Sequence, residues 1–479
     1  DLHSFPTRRS SDLQLAEGGP AIANQSKDLT QGSIFKGLFF FSLPLLGSSL
    51  IQQLYNTVDL MFVGNIVGKE ASAAVGSTSL LTVCILGFFM GMGVGVGVIT
   101  AHAFGARQDK ALKNTIHTAI GLAIALSVVA TAIGLAICPF FLKWMHVPER
   151  ITGLALTYIR LYLLGMFAIV CYNVATGIIR ALGNARSPLI YAIIGGLVNV
   201  GADALLMSVF RMGIAGAALA TVLSQALSAA LALRYLCRLP DRWRLELRKI
   251  TIDWALTRRI MRLAIPEAIR SMLMTFANIL IQTGINGLGV SSMAAYAAYG
   301  KVEGFIYFPQ WSVGQANTTF VSQNLGAGNL KRTERSTKVA LAMGIGITLI
   351  TSGIAILAAY PIFRAFSADP WVIEISVRSA RAAYGLYFLY AIVEVLAGAI
   401  RGSGTTTPPM VITMVTLCGF RVLILNIALH YLHTLNQIVG IVFPATWGIA
   451  AMSFAIYYFS GLWKRNKTFQ AAAAPSDPR

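Results

Sequence analysis

Charged side chains are scarce in this sequence. Asp, Glu, Lys and Arg together make up 12% of its 479 residues, whereas they make up about 25% of a typical soluble domain. Apolar residues make up 56%, and the mean hydropathy is +0.67. This composition excludes an ordinary soluble domain and predicts a polytopic membrane protein.

Cysteine clusters and nucleotide-binding motifs are also missing. The five cysteines stand singly, with no C-x-x-C pair, so we expect neither a disulfide framework nor a metal site. There is no Walker motif to bind ATP. The glycine-rich run from Gly91 to Gly97 follows no strand and lacks a GK[ST] ending, so it predicts close helix packing instead. We therefore expect no cofactor and no enzymatic activity.

The first thirteen residues need separate treatment. The string from His3 to Leu13 resembles a translated sequencing adapter, and the first methionine is Met61. The string lacks the apolar region of a signal peptide. We expect residues 1–13 to be an artefact rather than part of the fold.

Apolar runs long enough to cross a bilayer recur from about residue 33 onward. A spanning helix needs about 20 such residues, and long runs without alternation predict helices rather than barrel strands. The fold class predicted is an all-α polytopic membrane protein with twelve transmembrane helices in two six-helix bundles. The predicted spans are 35–66, 72–103, 114–140, 153–178, 188–210, 213–236, 256–287, 292–322, 338–362, 375–399, 409–432 and 436–462. The predicted division is a tail at 14–32, a first bundle at 33–237, a basic linker at 238–255, a second bundle at 256–463 and a tail at 464–479.

The positive charge predicts how the chain crosses the membrane. The formal net charge is +19. With both termini in the cytoplasm, the cytoplasmic segments after residue 13 carry 25 Lys and Arg, and the external loops carry 7. The positive-inside rule therefore predicts two cytoplasmic termini. The excess charge belongs to loops, so no nucleic-acid partner is expected.

The two halves of the sequence repeat each other. RALGNARSP begins at Arg180 and RGSGTTTPP begins 221 residues later at Arg401, while AHAFGAR and SQNLGAG are separated by the same 221 residues. Six spans per repeat put the pseudo-twofold axis along the membrane normal. Pro44 and Pro266 lie inside the first span of each repeat, where a helix kink is expected and bending could help gating.

Two aspartates lie well inside predicted spans. On a helix, Gln52, Tyr55, Asn56 and Asp59 form one polar stripe, because they are three, four and seven residues apart. On the fifth span, Asn199 stands one turn before Asp203. At about 1.5 Å per residue, four residues on four spans lie roughly 12–15 Å below the external rim. They are Asp59, Tyr158, Asp203 and Thr221.

Ionisable groups inside spans cost roughly 2.5–3.5 kcal/mol on insertion scales and usually face a bundle interior or a wet cavity. No Lys or Arg is predicted at this depth in the first bundle. A carboxylate without a cationic partner takes up a proton readily, and it could equally attract Na⁺ to oxygen ligands such as Asp59, Asp203 and Asn199. The coupling ion is therefore H⁺ or Na⁺. The simpler alternative is a buried carboxylate that only joins helices.

The second repeat does not share this group. At the 221-residue offset, Leu280 corresponds to Asp59 and Ile424 to Asp203, so the first bundle is predicted to handle the ion. The second bundle has its own predicted buried charges at Lys301, Glu303, Glu394 and Arg421. We expect Glu303 to contact Arg421, with Glu394 as the alternative partner. This charge network is either a structural ion pair or part of a substrate site.

These features together resemble the multidrug and toxic compound extrusion (MATE) family, in its bacterial and archaeal branch. The resemblance rests on LPLLGSSLIQQLYNTVDLMFVG, the repeated RALGNARSP and RGSGTTTPP segments, and SQNLGAGN. It implies a cation-coupled antiporter that exports organic cations by alternating access. It also implies that Asn199, Asp203, Tyr158 and Thr221 take the coupling ion. Thr176 stands where relatives carry an amide.

The resemblance implies the partners and the location as well. We expect a cationic amphipathic small molecule as substrate, the lipid bilayer as surroundings, a monomeric protein, and the bacterial or archaeal plasma membrane. The alternative function is a flippase for lipid-linked saccharides with a related two-bundle architecture. That function predicts a strongly cationic cavity and additional spans.

Overall fold

The computed structural model describes residues 28–145 and 147–465. The predicted artefact at 1–13 and most of both predicted tails lie outside these residues. Within them the chain forms sixteen α-helices and no strand. The first bundle comprises α1 (Ile34–Phe62), α2 (Lys69–Gly105), α3 (Asp109–Trp144), α4 (Glu149–Leu164), α5 (Met166–Ala181), α6 (Arg186–Asp203) and α7 (Ile214–Cys237).

The second bundle comprises α8 (Trp254–Asn286), α9 (Val290–Gly326), α10 (Leu330–Leu357), α11 (Ala359–Arg364), α12 (Pro370–Ala383), α13 (Phe388–Gly402), α14 (Thr407–Thr413), α15 (Arg421–Tyr431) and α16 (Leu435–Phe459). Three π-helical stretches continue α1, α6 and α14. They are Val63–Val67, Ala204–Val209 and Met414–Phe420.

These helices make the twelve predicted spans. In the described part of the chain, nine helices are long and apolar enough to cross a membrane, and two bent pairs bring the number to eleven. The twelfth is α9, whose 37 residues are long enough to cross. Buried polar residues such as Gln310 and Asn317 lower its hydropathy. The fold is thus an all-α membrane protein of two six-helix bundles.

Two spans that were predicted as continuous are bent. The span at 153–178 divides into α4 and α5 with a 48° bend, and the span at 375–399 divides into α12 and α13, also with a 48° bend. At the first bend, a Cβ on Gly165 would lie 2.3 Å from Val222 Cγ2 on α7. Because Gly165 has no side chain, the chain at the bend can pack directly against Val222 of α7. By contrast, α1 and α8 continue as helices through Pro44 and Pro266.

The glycine run of α2 packs closely against other helices, as the sequence predicted, and Gly91 and Gly95 face α8. A Cβ on Gly91 would lie 2.7 Å from the backbone nitrogen of Ala268, and a Cβ on Gly95 would lie 3.0 Å from that of Ala264. Real side chains almost never come so close to backbone. Small residues at these positions let the two bundles meet with their helix backbones in contact.

The two bundles also meet at the ends of α2 and α9. A Cβ on Gly105 would lie 2.0 Å from the carbonyl oxygen of Gln323, and a Cβ on Gly326 would lie 2.1 Å from that of His102. His102 and Gln323, like Gly105 and Gly326, are equivalent at the 221-residue offset. The contact is therefore symmetric in the two repeats. We refer to this region as the closed end.

Apolar packing reinforces the closed end. Phe41 and Leu45 of α1 pack in one buried cluster with Phe320 of α9 and Met343 of α10. The side chain of Gln323, which belongs to the second bundle, bonds to two segments of the N-terminal half: its Oε1 accepts from Leu29 N at 3.0 Å, and its Nε2 donates to Ala181 O at 2.7 Å. The helices of the two bundles thus converge at one end of the molecule.

Candidate ion and substrate sites

A pair of carboxyl groups lies inside the first bundle. Asp59 projects from α1, and Asp203 is the last residue of α6. The two helices are neighbours, and the two carboxyl groups lie within hydrogen-bonding reach of each other. Asp203 is fully buried. Two carboxyl groups can form a hydrogen bond only when one of them carries a proton, so this geometry would allow the pair to share a proton.

The two carboxyl groups have few other hydrogen-bond or ion-pair partners in the described chain. Oδ1 of Asp59 and both carboxyl oxygens of Asp203 have no other hydrogen-bond partner there, and neither residue forms an ion pair with a Lys or Arg. Asn199 lies one turn before Asp203, is buried, and has no partner for its amide oxygen or nitrogen among the described residues. Buried polar groups are normally satisfied, so three adjacent exceptions indicate a site for an additional proton or cation.

The other predicted members of this layer are placed differently. Tyr158 on α4 is buried and lies close enough to interact electrostatically with both Asp59 and Asp203. The Thr221 hydroxyl donates to the Ala217 carbonyl at 3.1 Å on its own helix. No hydrogen bond within the described residues joins Thr221 to the carboxyl pair.

Among the described residues, no hydrogen bond joins Thr176 to the carboxyl pair either. Its hydroxyl donates to the Tyr172 carbonyl at 2.8 Å and accepts from Arg180 Nη2 at 3.3 Å. These bonds hold the threonine hydroxyl on α5 beside the arginine, which itself borders the central cavity described below.

The polar stripe of α1 faces two environments rather than one. Tyr55 and Asp59 are partly buried, and Tyr55 Oη accepts a hydrogen bond from Gln225 Nε2 of α7 at 3.2 Å. Asn56 lines a central cavity between the bundles. Gln52 lines that cavity and also a narrow crevice beside Tyr55. The stripe thus connects the interior of the first bundle with the central cavity.

The central cavity has a volume of about 720 Å³ and two unlike walls. The wall from the first bundle consists mainly of glycines, amides and small apolar residues. The wall from the second bundle supplies all of the aromatic side chains. They are Tyr296, Tyr307, Phe308, Trp311, Tyr387, Tyr390, Phe443 and Trp447. A cavity of this size and composition suits a drug-sized molecule with aromatic rings.

Charged residues accompany this aromatic wall. Arg270 on α8 forms two hydrogen bonds with Glu267, at 2.6 and 3.1 Å, and both residues line the cavity. Behind them, the fully buried Arg401 lies 3.8 Å from Glu267 and 3.8 Å from Glu394. Sequence reasoning missed Glu267, Arg270 and Arg401. The sequence feature that could have indicated this pair is the segment IPEAIR, in which an acid and a base stand three residues apart on a helix just after Pro266.

The predicted contact between Glu303 and Arg421 is wrong. Within the described chain neither Glu303 nor Glu394 forms an ion pair with Arg421. Tyr387 Oη donates to Glu303 at 3.0 Å, and Arg421 Nε donates to Thr446 Oγ1 at 3.1 Å. The prediction counted residues along ideal α-helices, but a π-helical stretch ends immediately before Arg421 and changes the direction of its side chain.

Lys301 was wrongly predicted to be buried. It is exposed, as is Phe305 one turn later on α9, and it does not line the cavity. The depth of a residue along a span follows from counting, whereas the face it occupies depends on how the helix packs. The prediction used only depth.

The comparisons with known proteins agree with this architecture. The MatE family model matches residues 44–205 and 266–432, one segment in each bundle. The "Probable multidrug resistance protein YoeA" of Bacillus subtilis (strain 168) is 26% identical over 449 residues, covering 91% of this chain and 95% of that protein. The "Probable multidrug resistance protein NorM" of Thermotoga maritima is 26% identical over 450 residues, covering 90% of this chain and 94% of that protein.

A solved structure confirms the fold. A MATE protein crystallised in the straight conformation matches with a TM-score of 0.84 at 22% identity, covering 93% of this chain and 98% of that one. The family match extends over both repeats and includes Asp59 and Asp203. The chain belongs to the MatE family of multidrug transporters.

Proposed function

We propose that this protein is a secondary active multidrug exporter that exchanges an amphipathic drug for H⁺ or Na⁺ by alternating access. The observation that carries the proposal is the pair of the partly buried Asp59 and the fully buried Asp203, whose carboxyl groups lie within reach of each other and form no ion pair with a Lys or Arg among the described residues. A buried group of this kind changes its interactions most when a proton or a cation arrives.

Proton binding would act on the contact between α1 and α6. With one shared proton, Asp59 and Asp203 hold the two helices together. Without it, two negative charges face each other in a low dielectric and repel strongly. Occupancy of the site by the ion therefore sets the position of α1.

Helix α1 can transmit this change to the substrate. Gln52 and Asn56 on α1 line the central cavity, while Phe41 and Leu45 pack into the closed end. Pro44 lies between Phe41 and the cavity-lining Gln52 and has no N–H to bond the carbonyl four residues earlier. Bending at Pro44 would move the cavity wall relative to the closed end, so ion binding and drug release are coupled through one helix.

The direction of transport follows from the proposed orientation. Lys110 and Lys113 lie at the start of α3, directly after the α2 end that forms the closed end, and Arg259 interacts electrostatically with His102 there; the positive-inside rule puts such clusters in the cytoplasm. Both termini are then cytoplasmic, and the cavity faces the outside of the plasma membrane. This is the state from which an exporter releases its drug and takes up the external ion.

Sodium is the second candidate for the coupling ion. Asp59, Asp203 and Asn199 offer the hard oxygen ligands that Na⁺ prefers. No group of three or more His, Cys, Asp or Glu residues in the described chain could hold a transition metal. The residues present thus suit a proton or a hard monovalent cation.

The cavity supports an exporter over the flippase alternative. Three arginines and two glutamates line it, so its positive charge is small, and the described residues form the twelve spans that the exporter architecture predicts. The aromatic wall and the volume of about 720 Å³ fit one drug-sized molecule.

Transport into inverted membrane vesicles tests the proposal. We expect Asp59→Asn and Asp203→Asn each to reduce gradient-driven drug uptake at least about tenfold, because the site can no longer release and rebind its ion. Asp241→Asn, which removes the charge of an exposed aspartate in the linker, should transport normally. Collapsing the proton and sodium gradients separately identifies the ion. Full uptake by both Asn variants of the carboxyl pair would overturn the proposal.

A further inference from the structure

The guanidinium of Arg421 lines the central cavity with part of its hydrogen-bonding capacity unused. Its Nε donates to Thr446 Oγ1 at 3.1 Å, but its Nη2 has no hydrogen-bond partner among the described residues. The side chain is only 3% exposed. A buried cationic donor without an acceptor is unfavourable, so the arrangement is one that a ligand oxygen entering from the cavity would complete.

No carboxylate of the described chain neutralises Arg421 directly. Glu303 lines the same cavity but accepts its hydrogen bond from Tyr387. Glu394 lies 3.8 Å from Arg401 instead. Arg421 therefore has no carboxylate bonded to it in the described chain, although Glu303 is near enough to interact with it electrostatically.

Aromatic rings surround this charge. The guanidinium carbon of Arg421 lies 5.0 Å from the centroid of the Phe443 ring. Phe443 packs edge-on against Trp447 at 5.8 Å, and Trp447 packs against Tyr387 at 4.6 Å. A flat aromatic ligand could stack here while its polar group reaches the guanidinium.

A second arginine, on the wall from the first bundle, also adds positive charge to the cavity. Arg180 of α5 lines the cavity, and its Nε donates to the Thr176 carbonyl at 3.1 Å. In the described structure it has no ion pair with an acid. With Arg270 and Arg421 it makes three guanidinium groups against the two carboxylates of Glu267 and Glu303.

From the unpartnered Nη2 of Arg421, its place on the cavity wall and the aromatic rings beside it, we infer that Arg421 forms an anion subsite, which binds the carboxylate, sulfonate or phosphate group of an aromatic substrate. The substrates of this transporter then include aromatic organic anions in addition to the organic cations implied by the family resemblance. The inference rests on the proposed function only in taking the central cavity as the substrate site.

Two probes with the same ring system test the subsite. Binding of 2-naphthoate and of uncharged 2-naphthamide to the purified full-length protein is measured by calorimetry, without any ion gradient. We expect wild type to bind the naphthoate at least about tenfold more tightly, because only the anion gains a charge-assisted hydrogen bond. Arg421→Gln should remove this preference and leave naphthamide binding within about twofold.

A charge-matched control and a gain-of-affinity variant complete the experiment. Arg364→Gln removes an exposed arginine of the same bundle and should not change either affinity. Glu303→Gln should tighten naphthoate binding about threefold or more by removing a negative charge from the cavity. Loss of structure cannot produce such a gain, so this variant decides the matter if Arg421→Gln binds neither probe.

Equal affinities of wild type for the two probes would overturn the inference. So would a naphthoate preference that survives Arg421→Gln, or a Glu303→Gln variant with no gain for the naphthoate. Because no gradient is present, these results do not depend on ion coupling. Failure of the carboxyl pair to couple transport would overturn the proposed function and leave the anion subsite standing.

Discussion

Asp59 and Asp203 face each other across the contact between α1 and α6, with their carboxyl groups within hydrogen-bonding reach. Neither residue lines the central cavity. The group that would take the ion and the wall that would recognise the drug thus lie in different bundles. Helix α1 contributes to both, since Asp59 and Asn56 are three residues apart on it. This separation lets each site be altered without removing the other.

The buried charges of the second bundle are expected to stabilise the fold strongly. Glu267→Gln would leave Arg270 and Arg401 without their shared carboxylate in a buried site. We expect a loss of about 3–5 kcal/mol in the free energy of unfolding, as for other broken buried ion pairs. Denaturant unfolding in detergent, followed by intrinsic fluorescence, measures this.

The exposed pair of Glu374 and Arg378 is the matched control. Both residues lie on the surface of α12, one turn apart. Glu374→Gln should cost at most about 0.5 kcal/mol, because exposed helix pairs contribute little. If Glu267→Gln were as mild as this control, Glu267 would not hold the buried cluster together.

Close packing between α2 and α8 gives a second prediction. Gly91→Ala would put a methyl group 2.7 Å from the backbone nitrogen of Ala268, which cannot move aside as a side chain can. We expect impaired transport and a melting temperature several degrees lower, consistent with an overpacking cost of about 1–3 kcal/mol. Gly76→Ala on the same helix has no atom within 4 Å of the new Cβ and should be tolerated. Equal behaviour of the two variants would contradict the described packing.

The closed end should open more easily without Gln323. Its amide bonds Leu29 of the N-terminal segment and Ala181 of α5 at the same time. Gln323→Ala should therefore increase thiol labelling, from the side of the closed end, of a cysteine introduced at the cavity residue Thr319. The control is Gln437→Ala, which alters an exposed glutamine in the first turn of α16. Labelling that stays at the wild-type rate would show that Gln323 does not hold this end shut.

The linker between the bundles has its own dependence on pH. Hydrogen bonds from Lys113 and Lys249 lower the pKa of Glu246 to about 2, from its ordinary value of 4.5. A carboxylate with a lowered folded-state pKa contributes stability above about pH 4.5, and that contribution is lost as the pH falls towards 2.

The loss of this stabilisation at low pH can be measured directly. The melting temperature of wild type should exceed that of Glu246→Gln at pH 6, and the difference should shrink steadily as the pH is lowered to 3. High salt should reduce the difference at pH 6, because exposed ion pairs are screened. A constant difference over this pH range would mean that Glu246 does not anchor the linker to α3.

The sequence predicted those features that depend on counting along the chain. Spans, repeats and the aspartates in apolar runs are visible as patterns of residue type, and Asp59 and Asp203 indeed meet. Contacts that depend on the rotation of a helix were not predictable in the same way. Arg421 is buried as predicted, but it follows a π-helical stretch and does not pair with Glu303, and Lys301 occupies an exposed face that its depth along the span does not determine.

The missed cluster illustrates the same limit. Glu267 and Arg270 are adjacent on one helix, but Arg401 reaches Glu267 from α13, which is more than 130 residues away in the sequence. The bend at Gly165 also has no distinct local signature, because glycine occurs throughout these spans. Tertiary packing between helices decides such features, and a single sequence does not contain that information in readable form.

Ion movement driven by drug is the most direct test of the central claim that the carboxyl pair couples drug export to the ion. Wild type and the Asp59→Asn and Asp203→Asn variants are reconstituted in liposomes, and drug binding and ion flux are measured on the same preparations. The account predicts that adding drug moves H⁺ or Na⁺ in the opposite direction through wild type, whereas both variants still bind drug but move no ion. Drug-driven ion movement at the wild-type rate in either variant would contradict it.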